Sequence, residues 1–180
     1  MNRDLDQYFN SYQAHEFETV QAFYRRKKVL EIIKSLAPKS ILEVGSGAEP
    51  LFTDVDVFNQ FCVVEPTSGF FQEAEKLKEK LPAEIQQKVF LYNSNIEEYA
   101  NLAHTTFDLI IVSGLLHEVE FPDKILEVVG RLCSPNTTLH INVPNAWSFH
   151  RMLAVASGII PSVFTPSDSQ KQLQQHHTFD

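Results

Sequence analysis

What is scarce in this 180-residue sequence already narrows what it can be. No apolar run approaches the roughly 18–20 residues that a membrane-crossing helix needs, so no membrane span is expected. The opening residues, Met1-Asn2-Arg3-Asp4-Leu5-Asp6, lack the apolar centre of a secretion signal. Basic charge is short: 15 Lys and Arg stand against 23 Asp and Glu, a formal net charge of −8. A nucleic-acid partner held by a basic surface is therefore not expected. Cysteine is nearly absent, and Cys62 and Cys133 both sit in apolar surroundings. That is the pattern of buried free thiols in a reducing compartment, so a cytoplasmic protein is expected. No metal site is expected either. His176 and His177 are adjacent and cannot share one helix face, and no Cys pair accompanies them. Internal repeats are missing too, and only the Gln/His-rich end is low in complexity.

What is present is ordinary in amount and informative in order. With 43% hydrophobic and 21% charged residues, one soluble domain with a full core is the default. Residues 1–37 read as an N-terminal helical lid region: Tyr8, Phe9, Tyr12 and Phe17 are followed by Val29, Ile32, Ile33 and Leu36 on one helix face. Arg25-Arg26-Lys27-Lys28 between them reads as a solvated face, with a binding patch for an anionic substrate as the alternative. Five strand-like runs follow: Ser40–Val44, Phe61–Glu65, Val89–Tyr92, Phe107–Val112 and Thr138–Val143. Helical patterns separate them, including a short helix expected over Pro50–Phe58, one with Phe70, Ala74, Leu77 and Leu81 inward, and one opened by Pro122. No hairpin signal joins any two strands. The expectation is an α/β fold, a doubly wound and mostly parallel sheet of about five strands with helices on both faces and an N-terminal helical extension. Residues 38–145 would be its core, and 146–180 a C-terminal helix and tail.

The first strand ends at Glu43-Val44-Gly45-Ser46-Gly47-Ala48-Glu49-Pro50. Two glycines allow a sharp turn and a close approach of backbone to ligand, and Pro50 suits the first turn of a helix. Open α/β sheets bind nucleotide-like ligands at such a junction. Glu43, inside an apolar strand, is a buried carboxylate that needs a partner, and an internal cap on a neighbouring backbone N–H is its structural alternative. Glu65, at the tip of the second strand, is placed to accept both hydroxyls of a ribose.

Taken together, these strand ends resemble the class I S-adenosylmethionine-dependent methyltransferases, a Rossmann-like family. Glu43-Val44-Gly45-Ser46-Gly47 is similar to its first motif, Asp/Glu-x-Gly-x-Gly. Glu65-Pro66 matches its second-strand acid, Asn95-Ile96-Glu97-Glu98 its third motif, Phe107–Ser113 its fourth strand, and Leu115-Leu116-His117-Glu118-Val119 the stretch beyond. The likeness covers about 60% of the chain. It implies S-adenosylmethionine as cofactor, held by Glu43, Gly45, Ser46, Gly47, Glu65, Pro66, Asn95, Ile96 and Ser113. Asn95 stands where the family often has Asp, and would offer a neutral carbonyl to the adenine amino group; Ile96 would supply an apolar face for the ring.

The resemblance further implies methyl transfer to oxygen or nitrogen of a small-molecule acceptor. His117 and Glu118, just past the fourth strand, are the candidate catalytic pair, with a fixed helix start as the other reading. Asn145, Trp147, Phe149, His150 and Arg151 would line or cover the acceptor side. An NAD-dependent oxidoreductase is disfavoured, because Glu43 and Glu49 would repel a pyrophosphate at the first helix. A module that binds S-adenosylmethionine or S-adenosylhomocysteine without catalysis is the alternative. The family's last two strands have no counterpart in the residues after Val143. A truncated family domain is expected, with strand five as an exposed edge through which the chain could self-associate.

Overall fold

The computed structural model describes Leu5, Phe9, residues 16–103, residues 105–166 and Phe179. Five parallel strands form its centre: β1 (Ser40–Val44), β2 (Gln60–Val64), β3 (Val89–Tyr92), β4 (Leu109–Ser113) and β5 (Thr138–Asn142). Their order is β3-β2-β1-β4-β5, so the chain winds outward from β1 in one direction and then in the other. The six helices among the described residues are α1 (Glu16–Leu36), α2 (Ser68–Glu79), α3 (Ala83–Gln86), α4 (Ile96–Leu102), α5 (Pro122–Leu132) and α6 (Phe149–Ala156).

Strand alternation sorts the core into two layers. Leu42, Val44, Cys62, Val64, Ile110 and Val112 face one side, where they meet Ile96 and Tyr99 of α4 and Ile125, Val128, Val129 and Leu132 of α5. Ile41, Phe61, Val63, Leu109 and Ile111 face the other, against Val29 and Ile33 of α1, Ala74 of α2 and Phe52. Burial on both faces explains why β1, β2 and β4 read as continuous apolar runs. It also makes α1 a layer of the fold rather than only a cover. This helix ends at Ala37, in the left-handed conformation at φ 47°, whose N–H returns to the Ile33 carbonyl at 2.8 Å.

Two local expectations need correction. The helix expected over Pro50–Phe58 is a single 3-10 turn, Leu51–Asp54, with Pro50 as the residue before it. Val55 is extended, at φ −116° and ψ 116°. Leu51, Phe52, Val55 and Phe58 are all buried as expected, but the chain must straighten to enter β2, where Asn59 N–H reaches the Lys39 carbonyl at 2.8 Å. The basic run on α1 is not uniformly solvated either: the Arg26 side chain is only 14% exposed and pairs with Asp54.

At the other end, β5 pairs only with β4 among the described strands, and Leu139 and Ile141 remain partly exposed. Beyond it, Asn145 forms a parallel bridge with Phe179. Tyr8, Tyr12, His176 and His177 lie outside the described residues.

Candidate cofactor site

Every parallel strand points its C-terminal end to the same edge of the sheet, and the strand order reverses between β1 and β4. Open α/β sheets form their ligand crevice at that reversal. Gly45, Gly47, Glu65 and Ser113, all noted in the sequence, stand at this edge of the sheet.

The turn after β1 is built on left-handed glycines, Gly45 at φ 74° and Gly47 at φ 56°. Gly45 N–H donates to the Val64 carbonyl at 2.9 Å, which fixes the turn to the end of β2. A Cβ on Gly45 would rest on the Leu115 side chain at 3.5 Å, whereas one on Gly47 would meet nothing within 4 Å. The space before Gly47 is thus open.

Glu65 closes the second side. It is 4% exposed, its Oε2 accepts Gly47 N–H at 3.0 Å, and its Oε1 accepts Thr67 N–H at 2.9 Å. The carboxylate therefore ties the glycine turn to the exit of β2. Burial raises its pKa, against hydrogen bonds from Thr67, Gly47 and Ser46 that lower it. Pro66 is exposed beside it. Asn93, at the end of β3, donates from Nδ2 to the Glu65 carbonyl at 2.9 Å. Neither Thr67 nor Asn93 was singled out in sequence as a site residue, because each acts through a backbone neighbour.

Glu43 points to the α1 side of the sheet and is also 4% exposed. Its Oε2 accepts the Leu51 N–H at 3.0 Å. Burial pushes its pKa up to about 8, only partly opposed by that hydrogen bond and by the positive charge of Arg26. Among the described residues neither Glu43 nor Glu65 has a cation within salt-bridge distance. Two buried carboxylates with no cation in salt-bridge contact fit a ligand that brings positive charge and hydroxyl donors. S-adenosylmethionine has both.

Three candidates fare differently. Asn95 caps α4, its side-chain oxygen accepting Glu98 N–H at 2.9 Å, so a helix start already uses the acceptor that the adenine reading called for. Ile96 is 3% exposed and packs in the core, which leaves little apolar surface for a ring. Ser113, at the end of β4, accepts a hydrogen bond from Asn142 Nδ2 at 2.7 Å and lies at the crevice.

The acceptor-side pair is deeper than expected. His117 is 1% exposed and Glu118 8%, with His117 Nε2 at 3.6 Å from Glu118 Oε1. Glu118 N–H closes a turn on the Leu115 carbonyl at 2.9 Å. In this conformation neither side chain offers the surface that proton exchange with an acceptor needs. Farther on, Trp147 and Phe149 are well exposed. Arg151 is buried, donating from Nε to the Val163 carbonyl and from Nη2 to that of Thr165, each at 2.6 Å. It therefore holds its own loop.

The electrostatic case against a pyrophosphate also changes. The Glu49 side chain is exposed, and a four-residue 3-10 turn supplies no helix N-terminus to bind phosphate. Glu43 and Glu65 carry the site's acidity.

A family profile described as "Methyltransferase domain" matches residues 12–177. The chain belongs to this methyltransferase domain family. No functionally curated protein matches it by sequence. Among solved structures it is similar to the glycopeptide N-methyltransferase MtfA, at 17% identity and a TM-score of 0.57 over 69% of this chain and 56% of that one. The N-methyltransferase NodS from Bradyrhizobium japonicum WM9, in complex with S-adenosyl-L-homocysteine, aligns at 16% identity with a TM-score of 0.56, over 66% of this chain and 59% of that one. The plantazolicin methyltransferase BamL, in complex with a triazolic desmethylPZN analog and SAH, aligns over 97% of this chain and 68% of that one, at 12% identity and a TM-score of 0.55. Such likenesses establish the Rossmann-like methyltransferase fold. The chain spans 56% and 59% of the length of the first two of these structures.

Proposed function

We propose that this methyltransferase domain binds S-adenosylmethionine and transfers its methyl group to an oxygen or nitrogen of a small-molecule acceptor. The observation that carries this reading is the pair of buried carboxylates, Glu43 and Glu65, flanking the glycine turn with no cation in salt-bridge contact among the described residues. Glu65 would hold the ribose hydroxyls and Glu43 the methionine end, with Gly45, Ser46 and Gly47 providing open backbone between them. Pro66, Asn95 and Ser113 complete the rim, and Asn95 would have to share its oxygen with the α4 cap. When bound, the cofactor supplies an electrophilic methyl group; the protein's part is to orient the partners and exclude water. The solved N-methyltransferases of the same fold support this reaction class.

For His117 and Glu118 the burial favours a positioning role. The Glu118 N–H closes the turn on the Leu115 carbonyl, and Leu115 lies beside Gly45. The same burial supports a second reading, a module that binds the cofactor without catalysis. A cytoplasmic setting suits the free thiols of Cys62 and Cys133. The described residues contain no helix long and apolar enough to cross a membrane. Self-association through the outer edge of β5 is supported by the exposure of Leu139 and Ile141.

Calorimetric titration with S-adenosylmethionine and S-adenosylhomocysteine tests the cofactor. Binding of both is expected, and no heat with either at millimolar ligand would sink both readings. A methyl-transfer screen across metabolite pools then separates enzyme from module.

A further inference from the structure

Arg26 makes hydrogen bonds to four residues of one segment. From α1 its guanidinium reaches across to the segment that follows the glycine turn. Nη1 donates to the Glu49 carbonyl, Nη2 to the Pro50 carbonyl at 3.1 Å and to Thr53 Oγ1 at 2.8 Å, and Nε to Asp54 Oδ2 at 2.8 Å. Thr53 Oγ1 returns a hydrogen bond to the same Pro50 carbonyl at 2.9 Å. Two of these acceptors are backbone oxygens of consecutive residues, and the next residue, Leu51, supplies the N–H that Glu43 accepts.

The planar fork of an arginine can hold two carbonyls at a fixed angle, which an ammonium cannot. Gripping residues 49 and 50 therefore sets the direction of the Leu51 N–H. That N–H is the hydrogen bond the described residues give the Glu43 carboxylate, a buried group with no alternative in water. The neighbouring residue points the same way: the Arg25 guanidinium lies 3.4 Å from where a Cβ on Gly114 would stand, at the exit of β4. Consecutive residues of α1 thus reach the exits of β1 and β4, the two strands between which the sheet order reverses.

We propose that Arg26 is a positioning residue for the cofactor site, orienting the Glu43 carboxylate through the carbonyls of Glu49 and Pro50 and the N–H of Leu51. This rests on the reading that Glu43 meets the methionine end of S-adenosylmethionine. Docking of α1 and binding of cofactor are then energetically linked, although Arg26 itself touches no ligand.

The test is a set of S-adenosylmethionine and S-adenosylhomocysteine titrations on the whole chain, with denaturant unfolding of each variant alongside. Arg26→Gln is expected to weaken binding about tenfold, Arg26→Lys about threefold, and Asp54→Asn less than twofold, since the 53%-exposed Asp54 side chain adds only a surface ion pair. Glu43→Gln in the same series removes the carboxylate through which Arg26 acts. In that background the Arg26 substitution is expected to cost no further affinity, the non-additivity of residues in one network. Full additivity of the two losses would overturn the inference, as would unchanged affinity in both Arg26 variants. Should Arg26→Gln fail to fold, the same cycle is run with Arg26→Lys. Lack of binding by the unsubstituted chain defeats the cofactor reading itself, a different result from wild-type-like binding by the Arg26 variants.

Discussion

The two halves of the crevice are made differently. On the β1–β2 side, two carboxylates below 5% exposure are locked by backbone N–H groups from the turns beside them. Past β4, the polar pair His117 and Glu118 is buried, while beyond β5 Trp147, Phe149, Met152 and Leu153 are exposed. The first half is held by backbone hydrogen bonds, as the proposed cofactor socket requires. The second is an apolar, adjustable rim. Under the proposed function, that division sets fixed polar geometry on the cofactor side and exposed apolar surface on the acceptor side.

The largest expected effect tests the socket at its tie point. Glu65→Ala removes the carboxylate that joins Gly47 to Thr67 and leaves two N–H groups without it. Affinity for S-adenosylmethionine is expected to fall by at least about 100-fold, since loss of a charged hydrogen-bonding group in a buried site costs roughly 3 kcal/mol or more. Titration calorimetry reads this directly. Affinity within threefold of wild type would show that the ribose lies elsewhere.

How much of this was legible in sequence follows the same division. β1 and β3 have the bounds read from the sequence, and β2, β4 and β5 begin or end within two residues of them, because a strand buried on both faces must be apolar throughout. The glycine turn at Gly45 and Gly47 and the burial of Glu43 were legible because a glycine pair and an acid inside an apolar strand are local patterns, whereas the bond from Gly47 to Glu65, 18 positions away, was not. The 3-10 turn at Leu51–Asp54 was not: Leu51, Phe52, Val55 and Phe58 satisfy a helical spacing, and only the need to enter β2 beside β1 straightens them. Arg26 was hidden in a run of four basic residues. Its partners lie more than twenty positions away, and no local pattern marks such a contact. His117 was legible as a residue but not as a buried one.

Next in size is the pH response of Glu43, whose pKa rises from an ordinary 4.5 to about 8 through burial. Between those values the folded chain keeps a proton that the unfolded chain has released. Stability is therefore fullest below pH 4.5, falls as pH rises through about 8, and is level above. The loss is at most about 5 kcal/mol, at about 1.4 kcal/mol per pKa unit. Glu43→Gln should abolish that decline and be the more stable protein at pH 9, while binding cofactor more weakly. Urea unfolding from pH 5 to 9 gives the comparison. Parallel slopes for the two proteins would mean that Glu43 is already ionised and paired.

A smaller change on the other half sharpens the contrast. His117→Gln is expected to reduce stability by about 1–2 kcal/mol, the usual consequence of disturbing a buried polar group, and to leave cofactor affinity within about twofold. Turnover should then follow the folded fraction. A 100-fold loss of turnover at full stability would instead make His117 a group that touches the acceptor, and the rim a second finished site.

The finest comparison uses two glycines, Gly47 in the socket and Gly130 near the end of α5. A Cβ on either would meet nothing within 4 Å, so crowding cannot separate them. Backbone conformation can. Gly47 sits at φ 56°, where an L-residue costs roughly 1–2 kcal/mol. Gly130 is an exposed helical residue, and there alanine stabilises by about 0.5–1 kcal/mol, since glycine loses more chain entropy on folding. Alanine is thus expected to shift the unfolding midpoint downward at residue 47 and upward at residue 130. Cofactor affinity should change only for Gly47→Ala, because a methyl group there enters the open space facing the ligand. If both substitutions stabilise, the left-handed turn is not required for folding, and its retention must rest on the cofactor alone.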